Sequence, residues 1–246
     1  MRFNSVLISN FLFASVALAG RPRSQRQDLV EKRASASSDA LTYADRWAGA
    51  VWKQAAGTFN FVTGAVTVPH ISGPTKSSIS VALGIDGFSC PNSAVLQAGF
   101  DGIVTQDGPL YEAWWNFNDQ NYINLTISAG DVIELTVKAL SETSGHVIIQ
   151  NVNNGQNFTQ QVESSGALCE QNAGWNIGLV TTGNRLNTWL PLAEFGTLAF
   201  TGAVATSNSG HNYGPKGADM IGEIEQNGQV RTSVSVDDNS VTINYV

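Results

Sequence analysis

Cations are scarce in this chain. Thirteen Lys and Arg stand against 20 Asp and Glu in 246 residues, and the formal net charge is −7. A nucleic-acid partner needs a basic footprint for its phosphates, so that class is excluded. Few cations remain to line a cleft, and any charged site is expected to be carboxylate-based. Cysteine and histidine are also rare, at two and three. His70, His146 and His211 are scattered and no ligand spacing resembles a zinc site, so no metal and no other cofactor is expected. The apolar run at 6–19 is too short to cross a bilayer and no later stretch is long enough. The chain lacks the Gly-x-Ser-x-Gly elbow of common serine hydrolases. His-Glu-x-x-His, the Asp-Thr-Gly or Asp-Ser-Gly of pepsin-like enzymes and a phosphate-cradling glycine loop are absent too. So is the Glu-x-Asp-x-x-Glu pairing of some sandwich glycosidases.

What is present begins with a leader. Met1-Arg2, the apolar run and Ala17-Leu18-Ala19 before Gly20 read as a secretory signal peptide over residues 1–19. Arg21, Arg23, Arg26 and the dibasic Lys32-Arg33 make residues 20–33 a short propeptide. Cleavage after Arg33 would remove six Lys/Arg and two Asp/Glu. The remaining 213 residues, 34–246, would carry 7 basic and 18 acidic side chains and a net charge of −11. That balance suits acidic surroundings, where protonation relieves self-repulsion. The protein is expected to be secreted and extracellular. In an oxidising compartment Cys90 and Cys169 read as one disulfide. Asn124-Leu125-Thr126 and Asn157-Phe158-Thr159 are sequons that would permit N-glycans at Asn124 and Asn157.

From about residue 58 the apolar pattern alternates. Phe59 and Phe61, Val66 and Val68, Leu125 and Ile127 each skip one residue. So do Ile133, Leu135 and Val137, and Val241, Ile243 and Tyr245. Period two marks strands with one buried face. Turn clusters separate them: Ala129-Gly130-Asp131, Asn153-Asn154-Gly155, Gln226-Asn227-Gly228 and Asp237-Asp238-Asn239. No stretch shows helical periodicity. The pattern predicts an all-β fold, one antiparallel sandwich domain over 34–246.

Several ordered motifs extend this reading. They are Trp47-Ala48-Gly49-Ala50-Val51, Gly84-Ile85-Asp86-Gly87, Val95-Leu96-Gln97-Ala98-Gly99-Phe100-Asp101 and Ala113-Trp114-Trp115-Asn116-Phe117-Asn118. Gly130-Asp131-Val132-Ile133, Cys169 to Gly178, Phe195 to Thr201 and the tail from Met220 to Val246 follow. Collinear over nearly the whole mature chain, they resemble the fungal glutamic peptidases (the eqolisin or peptidase G1 family, formerly A4). The resemblance implies a concanavalin A-like, jelly-roll-like double sheet and places Cys90 and Cys169 at the family's disulfide. It implies acid endopeptidase chemistry by a Gln–Glu pair. The glutamate acts as base on a water and then as acid to the leaving amine, and the glutamine amide positions that water and stabilises the oxyanion.

Carried over residue by residue, the glutamine is Gln97 and the catalytic glutamate falls at Gly178. A second motif glutamate falls at Gly174, a third at Asn116, and the family's Trp-Val is Ala82-Leu83. Cys169 and Trp175 pin this register, and a shift of one residue would flip the strand's faces. Asp86, Asp101, Trp114 and Trp115, with Phe117, are the expected groove residues. Asp86 and Asp101 are expected to support loops near the cleft. The leading expectation is a monomeric homologue that binds a polypeptide or peptide and is catalytically impaired. The alternatives are an active acid endopeptidase whose acid has moved to Glu170, Glu194 or Asp101, and a lectin-like carbohydrate-binding module.

Overall fold

The computed structural model describes residues 46–90, 93–181, 189–221 and 224–246 and the backbone of Leu41–Thr42. The expected signal peptide, propeptide and Lys32-Arg33 lie outside the described residues. Two eight-stranded sheets hold most of the chain. The first contains β1 (Leu41–Thr42), β2 (Trp47–Lys53), β4 (Ser78–Ile85), β5 (Leu96–Thr105), β6 (Gly108–Phe117), β7 (Asp119–Ile123), β11 (Asn172–Gly178) and β14 (Asp219–Ile221). The second contains β3 (Phe59–Thr67), β8 (Val132–Ser141), β9 (Ser144–Asn151), β10 (Asn157–Glu163), β12 (Thr197–Ser207), β13 (Asn212–Tyr213), β17 (Thr232–Val236) and β18 (Ser240–Tyr245). A hairpin of β15 (Glu225–Gln226) and β16 (Gln229–Val230) stands apart. Among the described residues there is no helix, and every pairing between named strands is antiparallel except that of β1 with β14.

The order of the first sheet is β1-β14-β2-β11-β4-β5-β6-β7. Its centre shows how sequence makes a cleft. Alternate residues of β4, β5 and β11 point inward: Ile79, Val81, Leu83, Ile85, Ala98, Phe100, Ala173, Trp175 and Ile177 all enter the core. The outward alternates are small or polar, namely Ser80, Ala82, Gly84, Gln97, Gly99, Asn176 and two further glycines at 174 and 178. A strand puts successive side chains on opposite faces. The same strands therefore build a large-residue core on one side and a shallow floor on the other. Trp175 is fully buried, and its indole N–H donates to the Thr63 carbonyl of β3 at 2.9 Å. Gly64 leaves the room: a Cβ there would come within 3.4 Å of that nitrogen.

The alternation expected around β8 and β18 matches the core, where Ile133, Leu135, Val137, Val241 and Ile243 are buried. Two details differ. Phe59 is fully buried and Phe61 is only half-buried, because β3 carries an extra residue opposite Thr206–Ser207. Such a bulge exchanges the faces on either side of it, so Val62 takes the inward place. Leu125 and Ile127 are buried but form no strand. Their backbone is held by side chains instead: the Thr126 N–H donates to Gln156 Oε1, and its carbonyl accepts from Asn151 and Asn154. The turn clusters are turns, and Asn227 and Gly228 both take positive φ between β15 and β16, as a type I′ hairpin requires.

Cys90 and Cys169 form a disulfide across 79 residues of chain. A loop of this length typically contributes about 2–4 kcal/mol by restricting the unfolded chain. Asn124, just after β7, and Asn157, at the start of β10, are exposed.

Candidate functional site

The outer face of the first sheet carries the candidate site. Three rows cross it laterally. Gly174, Gly84, Gln97 and Asn116 form one, and Asn176, Ala82, Gly99 and Trp114 the next. Gly178, Ser80, Asp101 and Glu112 form the third. Gln97 lies across its glycine neighbour, since a Cβ on Gly84 would sit 2.4 Å from Gln97 Cγ. The Trp114 ring covers Gly99 in the same way, at 3.0 Å from a Cβ built there. Small residues on the central strands thus let long side chains lie flat, which leaves a trough above them.

A cavity of about 220 Å³ opens in this trough. Gln97, Gly178, Asn176, Ser80, Ala82 and Trp114 line it, with Arg46, Trp47, Leu179 and Trp189. The sequence-derived pair, Gln97 and position 178, therefore faces one space. Gly178 is not glycine for want of room or for backbone reasons. A Cβ there meets only the Arg46 carbonyl, at 3.5 Å, and its φ is not positive. Gly174 is tighter, with Ala50 O 3.0 Å from the equivalent atom. Among the described residues the cavity wall holds no Asp or Glu, and Arg46 is its one charged side chain. One of the scarce cations therefore stands at the trough, and carboxylates border it only nearby, at Asp86 in the adjoining crevice and Asp101 on the same face. Asn116 adds a buried Oδ1 with no hydrogen-bond partner among the described residues.

Asp101 is 3% exposed. Its carboxyl accepts from Trp114 Nε1 at 2.8 Å, Tyr122 OH at 2.9 Å and Gln120 Nε2 at 3.4 Å, with Ser80 also bonded to it. Burial pushes its pKa above the ordinary carboxylate value, against the pull of these donors. Burial, with Asp101 alongside, likewise raises the Tyr122 phenol, which stays a donor. A raised folded pKa means that the folded protein binds this proton more tightly than the unfolded chain does. The resulting stability is complete below the unfolded carboxylate pKa and is lost as pH rises through the folded one. Asp101→Asn should therefore compare more favourably with wild type at about pH 7 than at about pH 3. Thermal unfolding of both proteins at the two pH values checks this, and a pH-independent difference would contradict it.

Asp86 has a different place. It sits at the end of β4 with φ 65° and is 5% exposed. Its carboxylate accepts four consecutive backbone N–H groups: Cys169 at 2.7 Å, Glu170 at 2.8 Å, Gln171 at 2.9 Å and Asn172 at 3.1 Å. Asp86 borders a narrow crevice beside Gln97, but its oxygens are committed to the protein. The expected groove role of Trp115 and Phe117 is corrected. Both follow the inward alternate of β6 and pack on the core, whereas Trp114, on the opposite alternate, faces the trough. Glu170 is buried and accepts from Asn208 Nδ2 at 2.7 Å, and Glu194 is exposed on a bridge to Ser72. Neither lines the trough.

Sequence reasoning missed Arg46, Ser80, Asn176, Leu179 and Trp189. Asn176 and Ser80 had a usable signal, since they share the outward alternate with Gly178 on β11 and its neighbour β4. Arg46 and Trp189 are brought together only by tertiary structure, with the guanidinium 4.8 Å from the indole centroid.

Comparison with known proteins gives a consistent result. The Peptidase A4 family matches residues 45–245. Aspergillopepsin-2 of Aspergillus niger is 32% identical over 291 aligned positions, covering all of both chains. Scytalidopepsin B of Scytalidium lignicola is 30% identical over 268, again covering both completely. The crystal structure of scytalido-glutamic peptidase with a peptide-based transition-state analogue superposes with a TM-score of 0.75 at 32% identity, covering 83% of this chain and all of that one.

Proposed function

The chain belongs to the Peptidase A4 family of glutamic peptidases, and we propose that it is a secreted member that holds peptides in its cleft but has lost the means to hydrolyse them. One observation carries this reading: position 178 opens into the same cavity as Gln97 and offers no side chain. A glycine can neither take a proton from a water nor return it to a leaving amine. General acid–base catalysis is worth about 10²–10⁴-fold, and its loss leaves the Gln97 amide as an oxyanion donor without a partner. Peptide binding needs none of that proton transfer. It is supported by the peptide-based analogue held by the structural relative and by the amides of Gln97 and Asn176 beside the rings of Trp47, Trp114 and Trp189. Secretion rests on the leader, and the disulfide accords with it.

A relocated acid remains the second reading, and it narrows to Asp101, the one candidate of the three on the outer face with Gln97. Its carboxyl is nearly inaccessible and already bonded on both oxygens, which favours a structural role. The two readings separate in one assay. The secreted protein is incubated with a denatured protein across about pH 2–5, the range in which carboxylates titrate. The expected result is no cleavage above background. Pepstatin-resistant cleavage that disappears in Gln97→Ala would overturn the impaired reading. Its disappearance in Asp101→Asn as well would move the acid to Asp101.

A further inference from the structure

Ala82 and Gly178 occupy adjacent rows of neighbouring strands and line the same cavity. Neither carries more than a methyl group. The space above them is bounded by three indoles, Trp47, Trp114 and Trp189, and by Leu179. At about 220 Å³ it falls below the range of about 300–1,000 Å³ usual for a whole drug-sized ligand, so its size suits one large side chain. Aromatic walls favour an aromatic guest, because offset and edge-on ring contacts add to the burial of apolar area. Arg46 stands in the lining over Trp189. Among the described residues its exposed side chain makes no ion pair, and no Asp or Glu shares the lining. In a chain of net charge −7, Arg46 is the one cation among the described lining residues, a local preference for an anionic group.

We infer that this cavity is a recognition pocket for a peptide that inserts one large aromatic side chain and sets a carboxylate beside Arg46. The inference rests on the peptide-binding reading and adds the chemistry of the peptide. The carboxylate can come from the chain terminus or from an acidic side chain next to the aromatic residue.

Calorimetric titration of the secreted protein with four peptides tests this. They are N-acetyl-Gly-Gly-Phe as free acid, its C-terminal amide, N-acetyl-Gly-Asp-Phe-Gly amide and N-acetyl-Gly-Gly-Ala as free acid. The Phe acid is expected to bind at least about tenfold more tightly than the Ala acid, the ratio that burying an aromatic side chain supplies. It should also bind more tightly than its amide. Recovery with the Asp-Phe peptide assigns the carboxylate to a side chain, and no recovery assigns it to the terminus. Ala82→Trp fills the cavity from β4 and the uncharged Gly178→Leu fills it from β11, where the Cβ direction is open, so the folded one of the pair, or both, should erase the preference for Phe over Ala. Arg46→Gln should erase only the preference for a carboxylate. Equal binding of the Phe and Ala acids, or a Phe preference that survives both filling variants, would overturn the pocket and leave peptide binding intact. Absence of binding by all four peptides would overturn both. Neutral oligosaccharides that bind and are displaced by Ala82→Trp would assign the trough to sugars and overturn both as well.

Discussion

Gly178→Glu is expected to confer acid-range hydrolysis of a denatured protein, at least about a hundredfold above the wild-type background. The geometry makes this a fair test. Position 178 lies on the cavity side of β11, its Cβ direction is open, and no positive φ stands in the way. A new side chain there enters the space that Gln97 also faces, so an acid–base group and an amide donor would share one cavity. Gly174→Glu is the poorer first choice, because its Cβ would press on the Ala50 carbonyl at 3.0 Å. The activity gained should fall to the level of wild type in the double variant with Gln97→Ala, since the proposed reaction needs the amide as well. A folded Gly178→Glu protein without cleavage would show that the acid is not the only missing part. Ala82, Gly174 and Asn116 are then the positions to restore.

Asp86→Ala is expected to be the most damaging of the single substitutions to stability, by about 3–5 kcal/mol. Four backbone N–H groups in sequence depend on one carboxylate. Hydrogen bonds to a charged acceptor are each worth more than neutral ones, and the donors around the buried Asp86 would lose them all together. Asp86→Asn should be milder. Asparagine tolerates the positive φ of 65°, but one carbonyl oxygen serves about half of the four donors, and its amide group opposes the others. Urea unfolding with the disulfide intact measures the difference. A midpoint shift for Asp86→Ala no larger than that of an ordinary surface substitution would contradict the role assigned here. The effect should grow when Cys90–Cys169 is reduced, because bond and carboxylate hold the same segment.

Much of the fold was legible because alternation is a local signal. The faces of β8, β11 and β18 follow directly from it, and the outward position of Gly178 follows from the inward Trp175. Where local order was broken the reading slipped. Nothing in the letters Phe-Asn-Phe announces the bulge that turns Phe61 away from the core. Leu125 and Ile127 alternate like a strand, yet side-chain donors and acceptors take the place of a ladder partner. At the site, Gln97 and position 178 could be named from motifs. Trp115 could not be separated from Trp114 until the parity of β6 was known. Arg46 and Trp189 had no sequence neighbourhood to betray them, since their meeting is made by strands far apart in the chain. Asp86 reads from its motif both as a groove residue and as a support for a loop near the cleft, but the motif does not say which loop. Its real partners lie more than eighty residues away.

The clamp at Asp86 has a consequence for how strand β11 can change. Its entry, residues 169–172, is fastened by four hydrogen bonds and a covalent bond before the strand reaches the cleft. Trp175 then anchors the middle through the opposite sheet. Position 178 comes last, and its part in the sheet is played by the backbone, which pairs with Trp47 and Ser80. A side chain can be added at that end while the scaffold keeps its shape, so a change of residue there is readable in the cavity, as altered binding or reactivity, and not in the fold.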